Sequence, residues 1–149
     1  MSDKVFFDTN VLVYAYDQRD PGKQSHAQAL LLNATQANSA VVSAQVLGEF
    51  FVVVTRKIQQ PMSAAEAAEV IAEFGAFEVV PLDFSLVQRA IATQQEFGIS
   101  YWDSLIISAA ERAGCATVFS EDLNSGQSYH GVEVQNPFLP AAINGIQHG

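Results

Sequence analysis

The residues of this chain best placed to do chemistry are acids set against apolar runs. Asp8 directly follows Val5-Phe6-Phe7, and Thr9-Asn10 then leads into Val11-Leu12-Val13. Glu49 lies within Val46-Leu47-Gly48-Glu49-Phe50-Phe51-Val52-Val53, on the flank of the stripe that Val46, Phe50 and Val53 form at helical spacing. Asp103 falls in Ser100-Tyr101-Trp102-Asp103-Ser104-Leu105-Ile106, and Glu121-Asp122 follow Thr117-Val118-Phe119 with Ser120 between. Each has an ordinary structural reading. Asp8 can cap a helix, Glu49 can be partly exposed, Ser100 and Asp103 have capping-box spacing, and Glu121-Asp122 can be an acidic turn.

Their combination points to chemistry. Two carboxylates ~4 Å apart at an effective dielectric near 20 repel by about 4 kcal/mol, so a cluster needs a counter-charge. A hard divalent cation supplies one, and oxygen ligands without neighbouring Cys or His point to Mg²⁺ or Mn²⁺ rather than Zn²⁺. Such a site suits phosphodiester hydrolysis, in which a metal activates water and stabilises charge on phosphate oxygens. His26, His130 and His148 show no ligand spacing. There is no nucleophile elbow, Walker-type loop or G-x-G-x-x-G motif to support other chemistries.

These acids need a scaffold, and the patterning describes one. Val5-Phe6-Phe7 reads as a buried central strand, which puts Asp8 at its carboxyl end. Ligands bind at such ends in open α/β sheets. Thr9-Asn10 can cap a helix to Tyr16, and residues 17–22 form a turn before a helix over 23–37. A strand at 40–42 precedes a helix that Ser43 caps and that runs to about Gln59. Ser63 and Glu66 have capping-box spacing for a helix to about Phe74. A strand at 77–80, a helix from Asp83 to Gly98, a helix over 101–113 stopped by Gly114, and strands at 116–119 and 132–134 complete the series. Alternation of strands and helices predicts a three-layer α/β/α sandwich around a central, mostly parallel sheet. One domain over residues 1–149 is expected, with a tail from about 137 that frays beyond Pro140.

Composition narrows the setting. Sixteen acids against seven bases give a net charge of −9, the wrong sign for generic nucleic-acid binding. A nucleic-acid role therefore requires a bound divalent metal or a basic partner. No apolar run is long enough to span a bilayer, and Cys115, the single cysteine, reads as a buried free thiol. A cytoplasmic location with no membrane association is the expectation.

The motifs around Asp8, Glu49, Asp103 and Ser120-Glu121-Asp122 together resemble those of PIN-domain nucleases, in detail the VapC-type toxins of toxin–antitoxin pairs, over residues 4 to about 135. The resemblance implies a PIN-like fold and a Mg²⁺- or Mn²⁺-dependent endoribonuclease that acts on RNA. It further implies a homodimer held inactive by a cognate antitoxin with a basic C-terminal segment. By motif, Asp8, Glu49 and Asp103 would be the catalytic and metal-binding triad and Asp122 the fourth acid, with Thr9 or Asn10 and Ser120 as a supporting polar shell. Many relatives carry Asn or Arg where Glu121 stands, so which of Glu121 and Asp122 faces the metal stays open.

Two other readings compete. One is an aspartate-nucleophile phosphatase, although Asn10 stands where that pattern wants a second acid. The other is a catalytically idle PIN-like module for binding or assembly, which the four filled acidic slots disfavour.

Overall fold

The short apolar runs pair into a single six-stranded sheet, and the segments between most of them coil into helices. The computed structural model describes residues 3–139, so the expected fraying beyond Pro140 lies outside the described residues. In chain order the elements are β1 (Val5–Phe7), α1 (Thr9–Tyr14), α2 (Pro21–Gln36), β2 (Ala40–Ser43), α3 (Ala44–Arg56) and α4 (Ala64–Phe74). They continue with β3 (Glu78–Val80), α5 (Phe84–Phe97), α6 (Tyr101–Arg112), β4 (Thr117–Phe119), β5 (Ser128–Tyr129) and β6 (Val132–Gln135).

The strand order is β3-β2-β1-β4-β6-β5, parallel except for the β5–β6 pair. This is the three-layer α/β/α architecture with a mostly parallel sheet. The order has a functional consequence. The chain leaves β1 toward β2 on one side, while β4 joins β1 on the other, with Phe7 level with Phe119. The crevice beyond the carboxyl ends of β1 and β4 is therefore the switch point where ligands bind in such sheets. Phe6, Phe7, Val41, Val42 and Val118 are buried, as continuous apolar runs in a sheet covered on both faces must be.

Caps set most boundaries. Asp8, rather than Thr9 or Asn10, is the N-cap of α1, its side chain accepting from the Thr9 N–H. Pro21-Gly22, expected in a turn, instead opens α2 behind the Asp20 cap, because proline at the first helical position gives up an N–H that would be unbonded anyway. The Ser63–Glu66 capping box is complete. Gly98, with φ of 70°, takes the left-handed cap of α5. The unexpected strand β5 belongs to a two-residue hairpin whose central residues, His130 and Gly131, both have positive φ, as a type I′ turn requires. Phe138, assigned by sequence to the tail, packs edge-on against Tyr14 and His26. Cys115 is a free thiol whose burial pushes its pKa up to about 12, which keeps it protonated and unreactive.

Ser43 ends β2 and caps α3, the helix that carries Glu49, by accepting the Val46 N–H at 3.2 Å in a fully buried setting. Ser43→Ala should lower stability by about 1–2 kcal/mol, because both the cap and a partner for a buried donor are lost. Urea unfolding monitored by circular dichroism measures this, and an unchanged midpoint would show that the cap is dispensable.

Candidate active site

Asp8 ends β1 at the switch point and is buried, with 7% of its surface exposed. Its backbone N–H continues the β1–β4 ladder by donating to Phe119 O at 3.0 Å, so the sheet itself fixes where the side chain starts. Oδ1 accepts the Thr9 N–H at 2.7 Å and Oδ2 accepts the Ser120 hydroxyl at 2.7 Å. Asp8 is thus both a helix cap and a site carboxylate; the two readings of the sequence are compatible. Burial raises its pKa from the ordinary range to about 6, the two hydrogen bonds oppose that rise, and the charges of Asp122 and Glu49 add to it.

The two polar residues after Asp8 tie the other acids to it. Asn10 Nδ2 donates to Asp122 Oδ2 at 3.1 Å and, at 3.4 Å, to Asp8 Oδ2, so one amide spans both carboxylates. Asn10 Oδ1 accepts the Glu121 N–H at 3.0 Å, which orients the amide. Thr9 Oγ1 donates to Glu49 Oε1 at 3.1 Å across to α3. Ser120 is fully buried and accepts the N–H groups of Asp122 and Leu123, closing the turn after β4.

Glu121 and Asp122 have opposite destinations. Glu121 turns away from the site to form a salt bridge with Lys23 and to accept the Tyr14 hydroxyl at 2.7 Å. Lys23 also lies over the rings of Tyr14 and Phe138, at 4.7 and 5.5 Å from their centroids. The negative charge of Glu121 is therefore spent on a brace between α2 and the β4 turn. Asp122 is exposed and lines the cavity with Thr9, Asn10 and Glu49. Nothing local signals the role of Lys23, which is 98 positions from its partner.

Asp103 comes from a different helix. It lies in the first turn of α6, and its N–H bonds to Ser100 Oγ at 3.0 Å. Unlike Glu66 in α4, its carboxylate makes no return bond to the capping residue, so the cap leaves it free. It does not line the cavity shared by Glu49 and Asp122, and among the described residues no three His, Cys, Asp or Glu side chains gather as a preformed metal cage. Glu49 and Asp122 are exposed and accept hydrogen bonds from the neutral donors Thr9 and Asn10.

The cavity has a volume of about 610 Å³ and runs from these acids past Val13, Tyr14 and Val53 to Arg19 and Lys57. Its donor set fits a hard divalent cation. All the donors at the acid end are oxygens, and Mg²⁺ typically takes one or two carboxylates while keeping several of its waters, so a closed cage is not required. Asp8 and Asp122, with Glu49 beside them, are the residues that would hold it.

The chain matches the family model of the PIN domain over residues 5–125. Among solved structures it resembles VapC20 of Mycobacterium tuberculosis, described as a sarcin–ricin loop cleaving toxin. The TM-score is 0.62 at 22% identity, covering 80% of this chain and 92% of that one. A toxin–antitoxin complex from Klebsiella pneumoniae gives 0.66 at 17% identity, over 91% and 98% of the two chains. DNA-bound VapBC from Salmonella typhimurium gives 0.64 at 18%, also over 91% and 98%. At these identities the likeness is one of fold. No curated protein matches the chain in sequence.

The raised pKa of Asp8 has a stability consequence. The unfolded chain ionises this group near 3.9, whereas the fold holds it protonated up to about 6. Its favourable contribution is therefore full below about pH 4 and is lost as the pH rises through about 6. A shift of this size corresponds to roughly 3 kcal/mol as an upper bound. In EDTA, Asp8→Asn should melt higher than the parent protein above neutrality, with the gap closing toward acid pH. A variant that melts lower at high pH would mean that the Ser120 and Thr9 hydrogen bonds outweigh the buried charge.

Proposed function

The chain belongs to the PIN-domain family, and on that premise we propose that it is a metal-dependent endoribonuclease, the toxin of a toxin–antitoxin pair. The observation that carries this reading is the placement of Asp8 and Asp122 under one Asn10 amide, with Glu49 adjacent, at the switch point of the sheet. This is an acidic oxygen-donor site beside a cavity long enough for an extended ligand.

Bound Mg²⁺ or Mn²⁺ would supply Lewis-acid activation of the phosphate and of the attacking water. The protein's own side chains do the positioning. Burial and the hydrogen bonds from Thr9 and Ser120 hold the Asp8 carboxylate in place. Asn10 sets the spacing between Asp8 and Asp122, and Thr9 keeps Glu49 at the rim. Asp103, in the first turn of the helix that leads into β4, is the further acid of the proposed set. RNA is the proposed substrate. A cognate antitoxin with a basic C-terminal segment is the proposed inhibitor, since Arg or Lys presented to these carboxylates would compete with the cation. A homodimer is the proposed working form. The relatives described as toxin–antitoxin complexes support the partner, and the relative described as a loop-cleaving toxin supports the substrate class. Among the described residues no helix is long and apolar enough to cross a membrane; the proposed site of action is the cytoplasm.

Purified protein should cleave single-stranded RNA when Mg²⁺ or Mn²⁺ is added and stop when EDTA is added. Asp8→Asn should lose more than about 100-fold in rate, and Ser120→Ala about 10- to 100-fold, because the hydroxyl only orients the ligand carboxylate. Cleavage that survives both EDTA and Asp8→Asn would refute the assignment. The antitoxin should bind less tightly as salt rises and when Asp122 is replaced by Asn, since its cation would face these carboxylates. Affinity indifferent to both would place inhibition elsewhere on the surface.

A further inference from the structure

The distribution of positive charge singles out the far end of the cavity. Four of the seven basic side chains, Lys4, Lys23, Arg89 and Arg112, are paired with Glu78, Glu121, Glu111 and Asp83. Among the described residues, Arg19, Arg56 and Lys57 make no salt bridge, and two of these three line the same cavity as the acids. In a chain of net charge −9, cations left unpaired by so many acids, and gathered in one place, are available to an external anion.

Their mounting is specific. Arg19 Nη2 donates to the carbonyl oxygen of Lys57 at 3.1 Å, so the C-terminus of α3 holds the guanidinium while its other N–H groups remain available. Lys57 is the C-cap of α3, a position where a cation also complements the helix dipole. Asp17 and Asp20 border the cavity too, but their carboxylates accept backbone N–H groups, Asp17 from Arg19 and Gln59 and Asp20 from Lys23. Neither neutralises Arg19 or Lys57.

Position along the helix decides what these cations can do. Glu49, Val53 and Lys57 recur every four residues and all line the cavity, so they mark one stripe of α3. At 1.5 Å per residue, Lys57 lies about 12 Å from Glu49 along the axis. That is too far to touch the phosphate held at the carboxylates, but suits another phosphate of the same extended strand. We propose that Arg19 and Lys57 form a subsite for a flanking backbone phosphate of single-stranded RNA. They would be positioning residues that contribute affinity and register, separated from the acids by the less polar floor of Val13, Tyr14 and Val53. This inference rests on the nuclease reading and adds to it the direction in which the substrate lies.

The test is the salt dependence of binding. A short, labelled, mixed-sequence single-stranded RNA is titrated with full-length Asp8→Asn protein, which binds without cutting, at several salt concentrations. Each phosphate contact to a single strand contributes about 0.7 to the slope of log K against log salt. Lys57→Gln and Arg19→Gln should each flatten the slope by about 0.7, and the double variant by about 1.4. Arg56→Gln, the unpaired cation outside the cavity, should leave it unchanged. In the otherwise unaltered protein, Lys57→Gln should raise KM several-fold with kcat nearly constant. Lys57 is exposed and bonds to Arg19 only through its carbonyl, so this variant remains informative even if Arg19→Gln fails to fold. Unchanged slopes in a protein that cleaves RNA would overturn the subsite alone. A slope lowered as much by Arg56→Gln would mean diffuse attraction and overturn it too. No RNA binding and no cleavage by the unsubstituted chain would overturn the nuclease reading and this inference together.

Discussion

Keeping the Asp8 carboxylate out of water at the junction of β1 and β4 sets the terms for everything around it. A buried carboxylate is tolerated only where donors compensate for lost hydration. Here the compensation comes from the first N–H of α1 and from a hydroxyl at the end of β4. Those two donors belong to segments far apart in sequence, so the parallel pairing of β1 with β4 has to be in register before Asp8 can be accommodated. The same Ser120 hydroxyl accepts the N–H groups that shape the next turn, and that turn presents Asp122. One side chain thus links the sheet, the first helix and the second acid. Partial compensation leaves Asp8 with a raised pKa, a sign that the site is arranged for something other than stability.

Around that centre the structure limits how much negative charge accumulates. Lys23 removes Glu121 from the site and ties it to Tyr14, leaving Asp122 as the acid of the pair that reaches the cavity. Asn10 and Thr9 put neutral donors against Asp122 and Glu49. The few cations are mostly committed to surface pairs such as Arg89–Glu111 and Arg112–Asp83, which brace α5 against α6 and contribute little to stability at exposed positions. The result is a cavity with Glu49 and Asp122 at one end and the unpaired cations Arg19 and Lys57, beside Asp17 and Asp20, at the other, within a protein that is acidic in total.

Much of this was legible in the sequence because local rules act locally. Val5-Phe6-Phe7 is apolar throughout because β1 is central, and Ser63–Glu66 satisfies its own helix end. Ser43, Asp83 and Gly98 mark helix ends by side-chain chemistry or backbone freedom alone. What escaped was decided at a distance or by competing local signals. The choice between Glu121 and Asp122 depends on Lys23, which has no sequence relation to either. Pro21 serves a turn and a first helical residue equally well, and only the Asp20 cap decides between them. The β5 hairpin rests on two residues of strand, too few for any alternation to show. Phe138 sat beyond the last apparent element, yet a ring that covers Lys23 and Tyr14 is part of the brace behind the site. Asp103 was grouped with the other acids by motif; in the fold its N–H is bonded to the Ser100 cap, while its carboxylate is unclaimed by that cap.

The proposed cation site is formed by Asp8 and Asp122 together, at the acid end of the cavity. Its most direct test is an anomalous difference map from crystals of the protein equilibrated with Mn²⁺. A single strong peak within about 2.0–2.2 Å of carboxylate oxygens of both Asp8 and Asp122, completed by waters, is the expected result. A peak held by Asp17 and Asp20 at the other end of the cavity, or no ordered Mn²⁺ at the switch point, would contradict it.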